Sequence, residues 1–247
     1  MGSAGPPSSA FDVDDVFDLG TLLKNPEEQG PFECSIPEEF QGDPDGEGAP
    51  PRPIQPLKAS CLRDFRAVRT SGTRQLTVIR WIVLHSTEGE TARGSASWHA
   101  NPNAKGSAHL HVDDRECYRT LTDDVIPWGA PGANTMGWHI EHAGRAANGP
   151  GGIPPRWTRE KWLSHKETLR RGAFKSARHA VKFGIPIKLL TTDELRAGKK
   201  GFITHAMCSK VFGGDHSDPG SNFPLDVYME FATQFAARMS SQHNVFL

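Results

Sequence analysis

The sequence predicts an α/β fold: a mixed central β-sheet flanked by helices, preceded by an extended N-terminal segment. Three observations predict it. Short β-branched and aromatic runs recur after residue 77. Between them lie segments whose apolar residues repeat at helical spacing. Ahead of both is a stretch too rich in proline, glycine and acid to build a core.

That stretch is residues 1–60, with 10 of the 19 prolines and 12 acidic against 3 basic side chains. Such a composition cannot offset the entropy of ordering with buried apolar surface. It is expected to be largely extended, apart from a short amphipathic helix over 13–22. Residues 61–247 form the second unit and carry 25 basic against 17 acidic side chains. A basic body suits an anionic partner.

Within that body, TVIRWIVLH (77–85) reads as a buried central strand. SAHLHVDD (107–114) alternates and reads as a second strand, with ECYRTL (116–121) as its hairpin partner. MGWHIEHAG (136–144) is a third. Trp162, Leu169, Ala173, Ala177 and Val181 recur at helical period. Thr158 is a fitting N-cap for that helix, and Gly184 before Pro186 a stop signal. GFITH (201–205) reads as a short strand, and Val227, Phe231 and Phe235 mark a C-terminal helix after Pro224.

Several function classes are disfavoured. No stretch approaches the ~20 apolar residues that cross a bilayer, so no membrane insertion is expected. The N-terminus lacks the basic and apolar regions of a secretory signal, which implies synthesis and folding in a cytoplasm. Cys34, Cys61, Cys117 and Cys208 show no CxxC pair, which argues against a four-cysteine zinc site; they are expected to be free thiols. No interleaved aromatic-basic motif or helix-turn-helix signal points to nucleic acid. A monomer is expected.

The chemistry-bearing residues gather at element ends. His85 closes the most apolar strand, His205 closes the short strand, and Asp218 follows in the turn-forming run GGDHSDPG (213–220). Two imidazoles and a carboxylate suit an open zinc site, in which three protein ligands leave a fourth position for water. The chain has eleven histidines, so spacing alone does not single out this trio. His85 and His205 also fit as hydrogen-bonded core histidines, Asp218 before Pro219 as a turn former, and Glu141 as the partner of an arginine.

Four ordered blocks carry a specific resemblance: IVLHST (82–87), WHANPNAKGSAHLHVD (98–113), NTMGWHIEHAG (134–144) and GFITHAMCSKVFGGDHSDPGSNFP (201–224). Together they resemble the type 2 N-acetylmuramoyl-L-alanine amidases, a family of phage endolysins, bacterial recycling amidases and peptidoglycan-recognition proteins. The chain is most similar to the amidase domains of endolysins from phages of actinobacteria. The resemblance implies one zinc ion per chain, held by His85, His205 and Asp218. It implies Glu141 as the catalytic carboxylate and His216 as the oxyanion donor. It places Asn134 and His109 at family positions near the substrate, where Trp128 can stack on sugar or peptide. The implied partner is peptidoglycan, cut between N-acetylmuramic acid and L-alanine, and the implied setting is phage lysis, acting on the wall after release. The competing reading is a non-catalytic recognition module, but such modules generally lose a ligand, and this chain keeps all three and Glu141.

Two departures stand out. Many relatives read Trp-His-Ala-Gly where this chain has Trp128-Gly129-Ala130-Pro131, so a substrate-contacting histidine is absent or supplied from elsewhere. His216 stands where many have lysine; imidazole titrates near neutrality and lysine does not, which bears on the pH optimum. Of Trp98, Trp128 and Trp138, at least two are expected in the core. His111 is expected to face solvent or serve structure, and His99, His139, His142, His165, His179 and His243 to be structural.

Overall fold

The computed structural model describes residues 65–146 and 156–243. The elements run β1 (Thr70–Thr73), β2 (Trp81–Ser86), α1 (Ala92–His99), β3 (Leu110–Val112), β4 (Cys117–Arg119), β5 (Val125–Pro127) and β6 (Gly137–His142). They continue α2 (Arg159–Ser164), α3 (Lys166–Lys182), α4 (Thr192–Arg196), β7 (Gly201–Thr204), α5 (His205–Phe212) and α6 (Leu225–His243). The five-stranded sheet has the order β4-β3-β6-β2-β7. β3, β6, β2 and β7 are parallel and β4 closes one edge antiparallel. β1 and β5 form a separate antiparallel pair.

Side chains alternate across a strand, and this sheet uses both faces. Ile82, Leu84, Ile140 and Phe202 pack one way, against Leu169, Ala173 and Ala177 of α3 and Tyr228 and Phe235 of α6. Trp81, Val83 and Ile203 pack the other way, against Leu195 of α4 and Cys208 of α5. The second face is only partly covered by apolar groups. Toward the carboxyl ends of the strands it turns polar, which is where ligands bind in open α/β sheets.

Most expected elements are present with shifted bounds. The central strand starts at Trp81, not at residue 77, because Leu76–Val78 is a 3-10 turn. Ile79 still enters the core from that turn, so the apolar run is longer than the strand it feeds. The expected helix over 158–184 is two helices broken at His165 (φ −101°, ψ 46°). His165 bonds Asp114 and stacks on Trp157. Asp114 also accepts the Thr168 backbone N–H at 2.9 Å, a capping bond for α3 supplied from a distant loop. Thr158 is the expected N-cap and Gly184 (φ 58°) the expected stop. His205 begins a helix and does not end the strand. Cys117 is disulfide-bonded, which corrects the expectation of four free thiols; buried Cys208 is free. Residues 1–60 and the helix expected over 13–22 lie outside the described residues.

Candidate metal centre and active site

β2 ends at the open edge of the second face. His85 follows Val83 on the same side of the strand, and its neighbour in register on β6 is Glu141. On the far side of β6, His111 of β3 pairs with Glu141 in turn. β7 delivers the second imidazole. Thr204 ends that strand, and its hydroxyl accepts the Met207 N–H to cap α5, so His205 is the first residue of a helix held against the sheet. The Asp218 carbonyl accepts the Ala206 N–H at 2.9 Å, which folds the 213–220 loop back over the helix start.

The three residues converge. His85 Nδ1 lies 3.1 Å from Asp218 Oδ2, and His205 Nδ1 lies 3.0 Å from Asp218 Oδ1. All three are buried, and their ligand atoms lie within 4.8 Å of one another. Burial alone would raise the Asp218 carboxyl, but the hydrogen bonds from His205 and His85 hold it far below the ordinary range. Burial pushes His85 down, with Asp218 opposing. Two imidazole nitrogens presented with one carboxylate form a donor set suited to zinc.

Glu141 faces this cluster. Its Oε2 is buried and has no hydrogen-bond partner. Burial, then the charges of Asp218 and Glu88, push its carboxyl well above the usual range. A carboxyl so raised is suited to moving protons near neutral pH. No arginine pairs with it among the described residues. His216 stacks on His205 with ring centroids 4.1 Å apart, its Nδ1 3.6 Å from Asp218 Oδ1 and its side chain 60% exposed.

The remaining expected site residues divide into braces and surface groups. Asn134 Oδ1 accepts the N–H groups of Gly129 and Ala130, at 2.9 and 2.7 Å, and fixes the loop after Trp128. His109 is buried: Nδ1 accepts the His139 N–H at 3.0 Å, and Nε2 lies 3.1 Å from the Val125 carbonyl and 2.9 Å from Arg74 Nη2. Its ring is therefore engaged within the protein. Trp128 is 45% exposed, and its Nε1–H donates to Ser71 Oγ. Trp98 is 53% exposed. Of the three tryptophans only Trp138 is buried, against the expectation of at least two. The reason for Trp98 is that α1 buries Ala92 and Ala96 against Tyr118 and turns its other side outward.

Two features, Arg74 and the contact of His139 with His85, were not legible in the sequence. Arg74 reaches the carbonyls of Asp123, Asn134, Thr135 and Gly137, and burial lowers it to about 10 despite Asp123 and Asp124. A lone arginine in a loop gives no pattern to find. His111 has the structural one of its two expected uses: it is buried under α1, with Nε2 3.3 Å from His99 Nδ1 and Nδ1 2.9 Å from Ser95 Oγ. His139, two residues before Glu141 and so on the same face of β6, touches His85: its Nδ1 lies 3.0 Å from His85 Nε2. The period of two was the available signal.

Comparison with known proteins gives the family and the fold. A family model described as N-acetylmuramoyl-L-alanine amidase matches residues 75–221. N-acetylmuramoyl-L-alanine amidase A of Achromobacter lyticus is 31% identical over 151 residues, covering 60% of this chain and 79% of that protein. The crystal structure of Staphylococcus aureus hydrolase AmiA with its ligand is similar in fold (TM-score 0.53, 20% identity), covering 70% of this chain and 81% of that one.

Proposed function

Because the chain belongs to the N-acetylmuramoyl-L-alanine amidase family, and so is an amide hydrolase of peptidoglycan, we propose that it works with one zinc ion held by His85, His205 and Asp218. The observation that carries this reading is the convergence of both Nδ1 atoms on the two oxygens of one buried carboxylate. Bound there, zinc would supply a Lewis acid for the scissile carbonyl and make water more acidic. The rest of the chemistry falls to the chain. Glu141, raised by burial, takes a proton from the attacking water and returns it to the departing amine of L-alanine. His216, exposed at the rim, donates a hydrogen bond to the developing oxyanion, a contribution of ~3–4 kcal/mol for one good donor. Trp128 offers an aromatic face to sugar or peptide, while Asn134 and His109 support the walls behind it.

Digestion of purified peptidoglycan tests the reaction. New L-alanine N-termini should appear, cease with a chelator and return with added zinc. Unchanged release in the presence of the chelator would contradict zinc dependence. We propose further that the protein is a monomeric lysis enzyme, made in a host cytoplasm and acting on the wall after release. The resemblance of the ordered blocks to those of phage endolysins motivates the lysis setting. Expressed in bacteria, it should lyse them only when the inner membrane is permeabilised.

A further inference from the structure

His85 presents Nδ1 to Asp218, so its other ring nitrogen decides whether that atom is available. An imidazole that gives the Nδ1 lone pair to a metal carries its proton on Nε2, and that proton needs an acceptor. The hydrogen-bond partner of His85 Nε2 is His139 Nδ1, at 3.0 Å, with the two rings stacked at 22°.

The slot for that second ring is built. A Cβ at Gly129 would lie 2.3 Å from His139 Nδ1; one at Gly137 would lie 2.7 Å from Nε2, but also 2.6 Å from Val83 Cγ2 and 2.7 Å from the Ala133 carbonyl oxygen, so Gly129 is the position that answers to this ring. Neither glycine has a positive φ, so backbone strain does not explain them. The His139 N–H donates to His109 Nδ1, which fixes the strand beneath the ring. His139 Nε2 has no partner, so the one hydrogen bond of this imidazole goes to His85. The space beside Gly129 is filled by a ring from β6. That ring is wholly buried and cannot touch substrate.

We propose that His139 is a positioning residue for the metal ligand His85: it accepts the Nε2 proton, fixes the tautomer that frees Nδ1, and is seated in the space that Gly129 leaves open. The inference rests on His85 being a zinc ligand. Removing such an outer partner typically costs roughly 10–100-fold in metal affinity.

Zinc affinity by chelator competition, with the melting temperature of the zinc-free protein, tests it. His139→Ala should bind zinc roughly 10–100-fold more weakly than the native chain. Gly129→Ala, which drives a methyl group into the ring, should weaken zinc in the same direction. His139→Asn places an amide oxygen close to the position of Nδ1 and should bind within about threefold of the native protein, because the acceptor is kept. Native affinity in a folded His139→Ala, or equal loss in His139→Asn and His139→Ala, would overturn the proposal. If His139→Ala does not fold, His139→Asn decides alone: near-native affinity supports the role and a tenfold loss overturns it. A native chain that binds no zinc would instead overturn the metal reading, and this inference with it.

Discussion

Glu141 and His216 test the residue scale. Glu141→Gln removes the proposed proton shuttle but keeps the size and the polarity of a group that has no hydrogen-bond partner at Oε2. It should keep fold and metal while slowing turnover by at least ~10²-fold, the scale of general acid–base catalysis. Single-turnover rates beside metal content distinguish this from a ligand, whose loss would empty the site. His216→Ala should slow the reaction by ~10²-fold or more, and His216→Lys should recover part of it by restoring a donor. Equal rates in the native chain and His216→Ala would remove His216 from the mechanism. The convergence of His85, His205 and Asp218 was legible because the motifs that carry them, with Glu141 and His216, stand in order along the chain. His139 was not, since a histidine two positions from Glu141 looks the same in sequence whether it packs or braces a ligand.

Helix α3 carries the clearest prediction at the scale of an element. Gly172 lies in its interior, where replacing glycine by alanine ordinarily stabilises by about 1 kcal/mol. Here a Cβ would lie 2.4 Å from His142 Nε2, and that ring is held by the His85 carbonyl and the Tyr228 hydroxyl. The sign should reverse: overpacking costs ~1–3 kcal/mol, so Gly172→Ala should lower the denaturation midpoint. A raised midpoint would mean that α3 moves away from the sheet without loss. Strands β2 and β6 and helix α6 were readable because period and apolar content agree over their length. The bounds were less so. Ile79 is as apolar as the strand it precedes, and the break at His165 depends on Asp114, some fifty residues earlier in the chain. The pairs β1–β5 and the helices α1, α4 and α5 are short, and their stability comes from packing more than from their own pattern.

At the scale of the whole molecule, one ion cluster joins β4, the β6 core and α3. Asp123 bonds Lys182 Nζ at 2.8 Å and Trp138 Nε1 at 3.0 Å, with Arg119 and His179 each at 3.5 Å. Burial alone would raise its carboxyl, but His179, Arg119 and Lys182 hold it well below the ordinary range. A carboxyl depressed on folding contributes stability in full above its unfolded pKa, ~3.9. That contribution is lost as pH falls from there toward the lower folded value. Asp123→Asn should therefore cost about 3–5 kcal/mol at neutral pH, and its deficit relative to the native chain should shrink below about pH 4. A deficit independent of pH would show that the charge is not the cause.

The division at residue 60 is a proposal at the same scale: deleting residues 1–55 should leave a folded, active enzyme. That deletion removes Cys34 and keeps Cys61, so the thiol count of the shortened chain also reports whether the Cys117 disulfide survives. Insoluble or inactive product would move the boundary toward the N-terminus.

The claim on which the rest depends is that His85, His205 and Asp218 hold one metal ion. Metal analysis of the purified full chain, beside His85→Ala, His205→Ala and Asp218→Ala, tests it most directly. The account predicts close to one zinc per native chain and loss of it in each variant, with Glu141→Gln retaining it. Zinc at full occupancy in all three ligand variants would contradict it.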